Sequence, residues 1–227
     1  MKVSNFLLKL LVGIFLITLF SSCNKSTEQG GQKGSYREEI DKYTKLIERE
    51  PKNADAYVER GWRYMAEGQD KQALSDFNRA IELNPRHTKA YNNRGTLYVA
   101  QQRYSEAIND FTLILEIEPN SDDYSNRAFS YFCKKEYDKA IEDYNNALKL
   151  SPKDTLAFFW RGEVYYSKGL YDNAIADYTR VLEIDANNAT AYFHRGKAYE
   201  AKGQHDLATT DYTRAHKIDP HLGTQVK

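Results

Sequence analysis

The chain is poor in cysteine, in tryptophan and in net charge. Two Cys in 227 residues, Cys23 and Cys133, leave no room for a disulfide scaffold. Lys plus Arg and Asp plus Glu both number 32, and this balance removes the overall field that would draw the protein to nucleic acid. No Gly-rich phosphate loop, metal-ligand spacing, paired-carboxylate site or nucleophile–base set stands out from the sequence. The chain therefore reads as no enzyme, with no cofactor and no metal. The length suffices for one or two globular units with a real core, and the mean hydropathy is that of a soluble body.

The single long apolar run lies at the N-terminus. Lys2 precedes it, Phe6 to Phe20 is apolar except for Lys9, and small residues lead to Cys23. The run is short for a membrane span and has the layout of a secretory signal peptide. Its ending, "FSSC", resembles the lipobox of bacterial lipoproteins, with Phe20 departing from the usual Leu. That resemblance implies cleavage after residue 22 and a diacylglyceryl anchor on Cys23, each buried CH₂ adding about 0.8 kcal/mol of membrane affinity. Cys133 is then the one remaining thiol. Residues 24–35, "NKSTEQGGQKGS", carry Gly, Ser and charge with nothing to bury, so 23–35 reads as the lipidated Cys and a tether with a reach on the order of 20 Å.

The rest of the chain repeats. Pro85, Pro119, Pro152 and Pro220 lie 34, 33 and twice 34 residues apart, with Ala186 in the missing place. Five units follow: 54–87, 88–120, 121–154, 155–188 and 189–222. An aromatic recurs at Tyr57, Tyr91, Tyr124, Phe158 and Tyr192; a small residue at Gly61, Gly95, Ala128, Gly162 and Gly196; a Tyr at 64, 98, 131, 165 and 199. These three fall at i, i+4 and i+7, one face of a helix. A second helix carries Ala73, Ala107, Ala140, Ala174 and Ala208, then Phe77, Phe111, Tyr144, Tyr178 and Tyr212. Gly opposite Ala permits close helix packing, Gly68, Gly169 and Gly203 sit in the intervening turn, and Pro ends the second helix.

These columns resemble the tetratricopeptide repeat, a helix–turn–helix of 34 residues, over 54–222. The departures are an Arg in place of the usual Leu before the small residue and one loop a residue short. The resemblance implies an all-α, right-handed superhelical solenoid whose first helices line a concave groove. The recurrent Arg60, Arg94, Arg127, Arg161 and Arg195 match a column of Asp76, Asp110, Asp143, Asp177 and Asp211. Half-buried Arg is generally paired, so each Arg is expected to pair across the two helices of its own unit, a structural role rather than an active-site one.

Both ends of the array are distinctive. Residues 36–51 read as a second helix alone, with Tyr36, Ile40, Tyr43 and Ile47 in the core places and Glu39 and Lys42 where other units have Ala and Asp. In the last unit the stacking positions become His205, Thr209 and His216, the polar outer face that a terminal repeat needs; residues 223–227 form a tail.

The groove is expected to be lined by Val58, Trp62 and Met65; Asn92, Thr96 and Val99; Ser125, Phe129 and Phe132; Phe159, Glu163 and Tyr166; and Phe193, Lys197 and Glu200, with Trp160 and His194 at its edge. Trp62, Asn92, Phe129, Phe132, Phe159, Trp160, Tyr166 and Phe193 are the candidate partner-binding residues. Their aromatics either form an exposed patch for a peptide or helix or bury one another; the sequence leaves both open. Relatives that clamp a chaperone carboxylate use a groove Lys, and the matching places here hold Val58, Asn92, Ser125, Phe159 and Phe193, so that clamp is not expected. The reading is a membrane-tethered protein-binding scaffold of the bacterial envelope, anchored to the outer or inner membrane and facing the periplasm. A narrower version is an assembly factor similar to a pilotin. A carbohydrate or cell-wall binder is the alternative, disfavoured by ten Phe against two Trp.

Overall fold

The structure, a computed structural model, describes residues 35–222: eleven helices and no strand among the described residues. The signal peptide, Cys23, most of the tether and the tail 223–227 lie outside them. Two compact units divide the chain at Glu118/Pro119. The first holds α1 (Ser35–Arg49), α2 (Ala54–Ala66), α3 (Asp70–Leu83), α4 (Thr88–Ala100) and α5 (Tyr104–Ile117). The second holds α6 (Ser121–Cys133), α7 (Tyr137–Leu150), α8 (Thr155–Ser167), α9 (Tyr171–Ile184), α10 (Ala189–Ala201) and α11 (His205–Ile218). Within each unit consecutive helices pack as neighbours, and first helices of successive repeats also touch, α2 on α4 and α6 on α8.

Local chemistry sets the boundaries. Asn53, Asn120, Asp154 and Asn188 precede first helices, and their side-chain oxygens accept from backbone N–H groups of the first turn. The turn inside each repeat needs one residue with positive φ. Gly68, Gly169 and Gly203 supply it at φ 74° to 80°, while Gln102 (60°) and Lys135 (63°) adopt it in the other two repeats without glycine's freedom.

The core lies between paired helices. Ala73, Phe77, Ala107, Phe111, Ala140, Tyr144, Ala174 and Tyr178 are fully buried. The glycine column faces these rings: a Cβ on Gly162 would lie 2.7 Å from Tyr178 Cε1, and one on Gly95 would lie 3.0 Å from Phe111. Gly95 leaves the looser fit of the two, and Tyr178 is further held by its hydroxyl, which donates to Glu163 at 2.5 Å. Gly162→Ala is therefore expected to destabilise by about 1–3 kcal/mol, the range for overpacking, and Gly95→Ala by less. Urea unfolding of the two variants checks the order; equal losses would refute the account.

Candidate partner-binding site

The five Arg–Asp columns meet in one geometry. Arg Nε and Nη2 donate to both oxygens of the Asp of the same repeat at 2.6–2.9 Å, for Arg60–Asp76, Arg94–Asp110, Arg127–Asp143, Arg161–Asp177 and Arg195–Asp211. Burial works against the Arg161 and Arg94 charges, and the facing Asp more than offsets this, leaving both above their ordinary values. The burial penalty falls on the deeper partner: it pushes Asp110, Asp143 and Asp177 upward, and the guanidinium pulls them back only in part.

A further column went unread in the sequence. The remaining nitrogen, Nη1, donates to the second helix of the preceding repeat: Arg60 to Thr44, Arg94 to Asn78, Arg161 to Asn145 and Arg195 to Thr179, at 2.5–3.2 Å. Each of these four Arg thus ties three helices with one planar fork. The signal was present, since the residue after the second-helix aromatic is Thr or Asn in every repeat. Through Thr44, and through Glu39 accepting from Arg63 Nε at 2.5 Å, α1 docks as the half-repeat's second helix.

The eight candidate partner-binding residues do not form one exposed patch. Trp62 and Asn92 belong to the first unit. Trp62 is half-buried between Tyr36, edge-on at 5.7 Å, and the Arg63 guanidinium, while Asn92 is half-exposed. The other six lie in the second unit, and of the two alternatives the sequence left open, exposure and mutual burial, each holds for three of them. Phe129 (0% exposed), Trp160 (2%) and Phe132 (9%) are buried. Trp160 is not at an edge: it is wedged edge-on against Phe129 at 5.0 Å, with Phe132 6.4 Å away. Val58, Met65, Thr96, Val99 and Glu163, also expected to line the groove, are buried too. The reason is geometric. Neighbouring first helices pack on one another, so a bulky residue between the core columns meets the next repeat before it meets solvent.

Phe159, Tyr166 and Phe193 remain half-exposed, on α8 and α10. Phe159 lies edge-on to Trp160 (5.6 Å) and to His194 (5.1 Å), Phe193 packs on Tyr212, and the Lys197 ammonium sits 5.2 Å from the Tyr166 ring. Leu156, near the start of α8, is 48% exposed. This is a rigid, partly wet apolar strip with one cation beside it. Its back wall is polar: buried Glu163 accepts from Tyr178 and contacts His194 Nδ1, each at 2.5 Å. His205, Thr209 and His216 are exposed on α11, Cys133 is half-buried, and no group of three or more potential metal ligands occurs among the described residues.

The chain belongs to the tetratricopeptide repeat family. A TPR repeat profile matches residues 61–102, 128–169 and 162–203, more than half of the chain, and a tetratricopeptide repeat profile matches 88–121 and 189–222. Solved structures share the all-α repeat fold. YrrB, described as a TPR protein with an unusual peptide-binding site, is 25% identical, with TM-score 0.68 over 79% of this chain and 93% of its own. MamA from Desulfovibrio magneticus RS-1 is 17% identical, with TM-score 0.70 over 75% and 97%. PilF from Pseudomonas aeruginosa is 18% identical, with TM-score 0.69 over 92% of each chain. No curated protein sequence matches. The fold is that of protein-interaction scaffolds, a family that is typically non-enzymatic.

Proposed function

We propose that this protein is a non-enzymatic scaffold, lipid-anchored through Cys23 to the bacterial outer or inner membrane and facing the periplasm. It holds a peptide or helix of a partner protein on the first-helix face of its second unit, as an envelope assembly factor of pilotin type. The observation that carries the reading is the strip of Phe159, Tyr166 and Phe193, half-exposed in the same unit that buries Phe129, Phe132 and Trp160. Rigid aromatics left partly wet are typical anchor points for a protein partner. The peptide-binding site of YrrB, at 25% identity, supports the class of ligand. Burial of Trp160 removes the one indole of the second unit as a flat stacking face for a glycan. No helix among the described residues is long and apolar enough to cross a membrane, so anchoring rests on the lipobox-like sequence.

The test is affinity capture from detergent-solubilised envelope membranes, comparing the mature protein with its Tyr166→Ala/Phe193→Ala variant after circular dichroism has shown both folded. One protein retained by the parent and lost with the variant is the expected result. Identical captures would sink the aromatic-strip reading. Radiolabelled palmitate incorporated by the parent but not by Cys23→Ser is the matching expectation for the anchor.

A further inference from the structure

We propose that Glu163, His194 and Tyr178 form an acid-released latch that holds the fifth repeat, α10 and α11, onto the fourth. Glu163 is 6% exposed, on α8. Its Oε1 accepts from the Tyr178 hydroxyl of α9 and contacts His194 Nδ1 of α10, so one carboxylate oxygen joins three helices across the repeat boundary. Phe159 and Phe193 flank the His194 ring at 5.1 and 5.7 Å and restrict its movement. The equivalents of Glu163 in the other repeats are Trp62, Thr96, Phe129 and Lys197, so this carboxylate belongs to one boundary and not to the repeat pattern. A buried carboxylate is tolerated while its partners surround it, and losing one of them leaves it stranded.

The titratable groups facing Glu163 are His194 and Lys197 from α10, Tyr178 from α9 and Tyr166 from α8 itself. The other helices on α8 meet it elsewhere: α7 through Asn145 on Arg161 and Asp138 on Lys168, α6 through Phe129 and Phe132 on Trp160. Burial pushes the Glu163 carboxyl up, but His194, Tyr178 and Lys197 outweigh it and hold the group below its ordinary value of 4.5. A carboxyl lowered in the folded state contributes stability that is present above its unfolded pKa and lost as pH falls through the folded one. The window is therefore below 4.5. Asp143 and Asp177 are raised by burial, so their protonation does not oppose folding in that window. Glu136 is also lowered, by Lys139 and Lys134, but it sits at the surface before α7, where solvent screens its pairs.

Hydrogen exchange of the full mature chain between pH 7 and pH 3.5, corrected for intrinsic rates, tests the latch. We expect α10 and α11 to lose protection as the pH falls below 4.5, before α6 and α7 do. Glu163→Gln should loosen α10 and α11 already at pH 7 and abolish the acid step. His194→Gln, which keeps Glu163 but removes the group holding its carboxyl down, should shrink or remove the acid step, because the folded carboxyl then no longer lies below its unfolded value. Loss of protection in α6–α7 and α10–α11 at one common pH would overturn the proposal. So would an acid step of undiminished size in His194→Gln, an outcome that stays readable if Glu163→Gln fails to fold.

Discussion

Arg161→Met is expected to destabilise the second unit by about 3 kcal/mol, the lower end of the range for breaking a buried ion pair by removing one partner. Asp177 drives the effect. Its side chain is 5% exposed, and without the guanidinium both its oxygens lose their donors. The Asn145 oxygen of the preceding repeat loses its donor as well. Removing both charges, as Arg161→Met/Asp177→Leu, should restore a large part of the loss, because no unpaired buried carboxylate then remains. Arg180→Met is the control: its pair with Glu183 lies at the surface, both side chains more than half exposed, and should change stability by no more than about 0.5 kcal/mol. The deficit also has a pH signature. Burial already raises Asp177, and losing Arg161 raises it further. A carboxyl raised in the folded state binds its proton more tightly folded than unfolded, so the penalty is full at neutral pH and shrinks on acidification. Urea midpoints of the four proteins at pH 7 and pH 5 measure all of this, and an Arg161→Met midpoint equal to that of Arg180→Met would refute the structural role of the column.

The repeat columns made much of the fold legible in the sequence. A helix that must bury one stripe against a partner and present another to the next repeat leaves Gly, Ala and aromatics at fixed intervals, and these intervals place the helix pairs. What was not legible depends on the distance between repeats. Phe129 meets Trp160 where α6 approaches α8 and Phe159 meets His194 where α8 approaches α10, and no spacing within one repeat encodes how closely these helices approach. Both sit between core columns, yet Phe129 is buried by Trp160 while Phe159 stays half-exposed. The latch was hidden for a related reason. Glu163 and His194 lie 31 residues apart, in different repeats, and each looks like an ordinary groove residue until the helices are stacked. The Thr and Asn column recurs with the period of the array and is legible in that sense, but its partner sits in the next repeat, so no spacing within one repeat assigns it a role.

Phe129 puts the division of these aromatics into buried and half-exposed to its hardest test. A groove-facing Phe would be trimmed to Ala with little effect on folding, and its loss would show in partner binding alone. A Phe with no exposed surface, wedged edge-on against Trp160, must leave a cavity, and Phe129→Ala is expected to remove about 3–5 kcal/mol. Tyr166→Ala, at a half-exposed position over which Lys197 lies, should lose about 1 kcal/mol or less, since part of its ring is already in water. The contrast divides the strip into a supporting layer (Phe129, Phe132, Trp160) and a contact layer (Phe159, Tyr166, Phe193). Guanidinium unfolding, followed by the fluorescence of the indole that Phe129 touches, separates the two. Near-wild-type stability for Phe129→Ala would return that residue to the groove surface. A large loss would mean that any binding defect of the variant follows from a loosened wall, and that the partner is read by the half-exposed side chains in front of it.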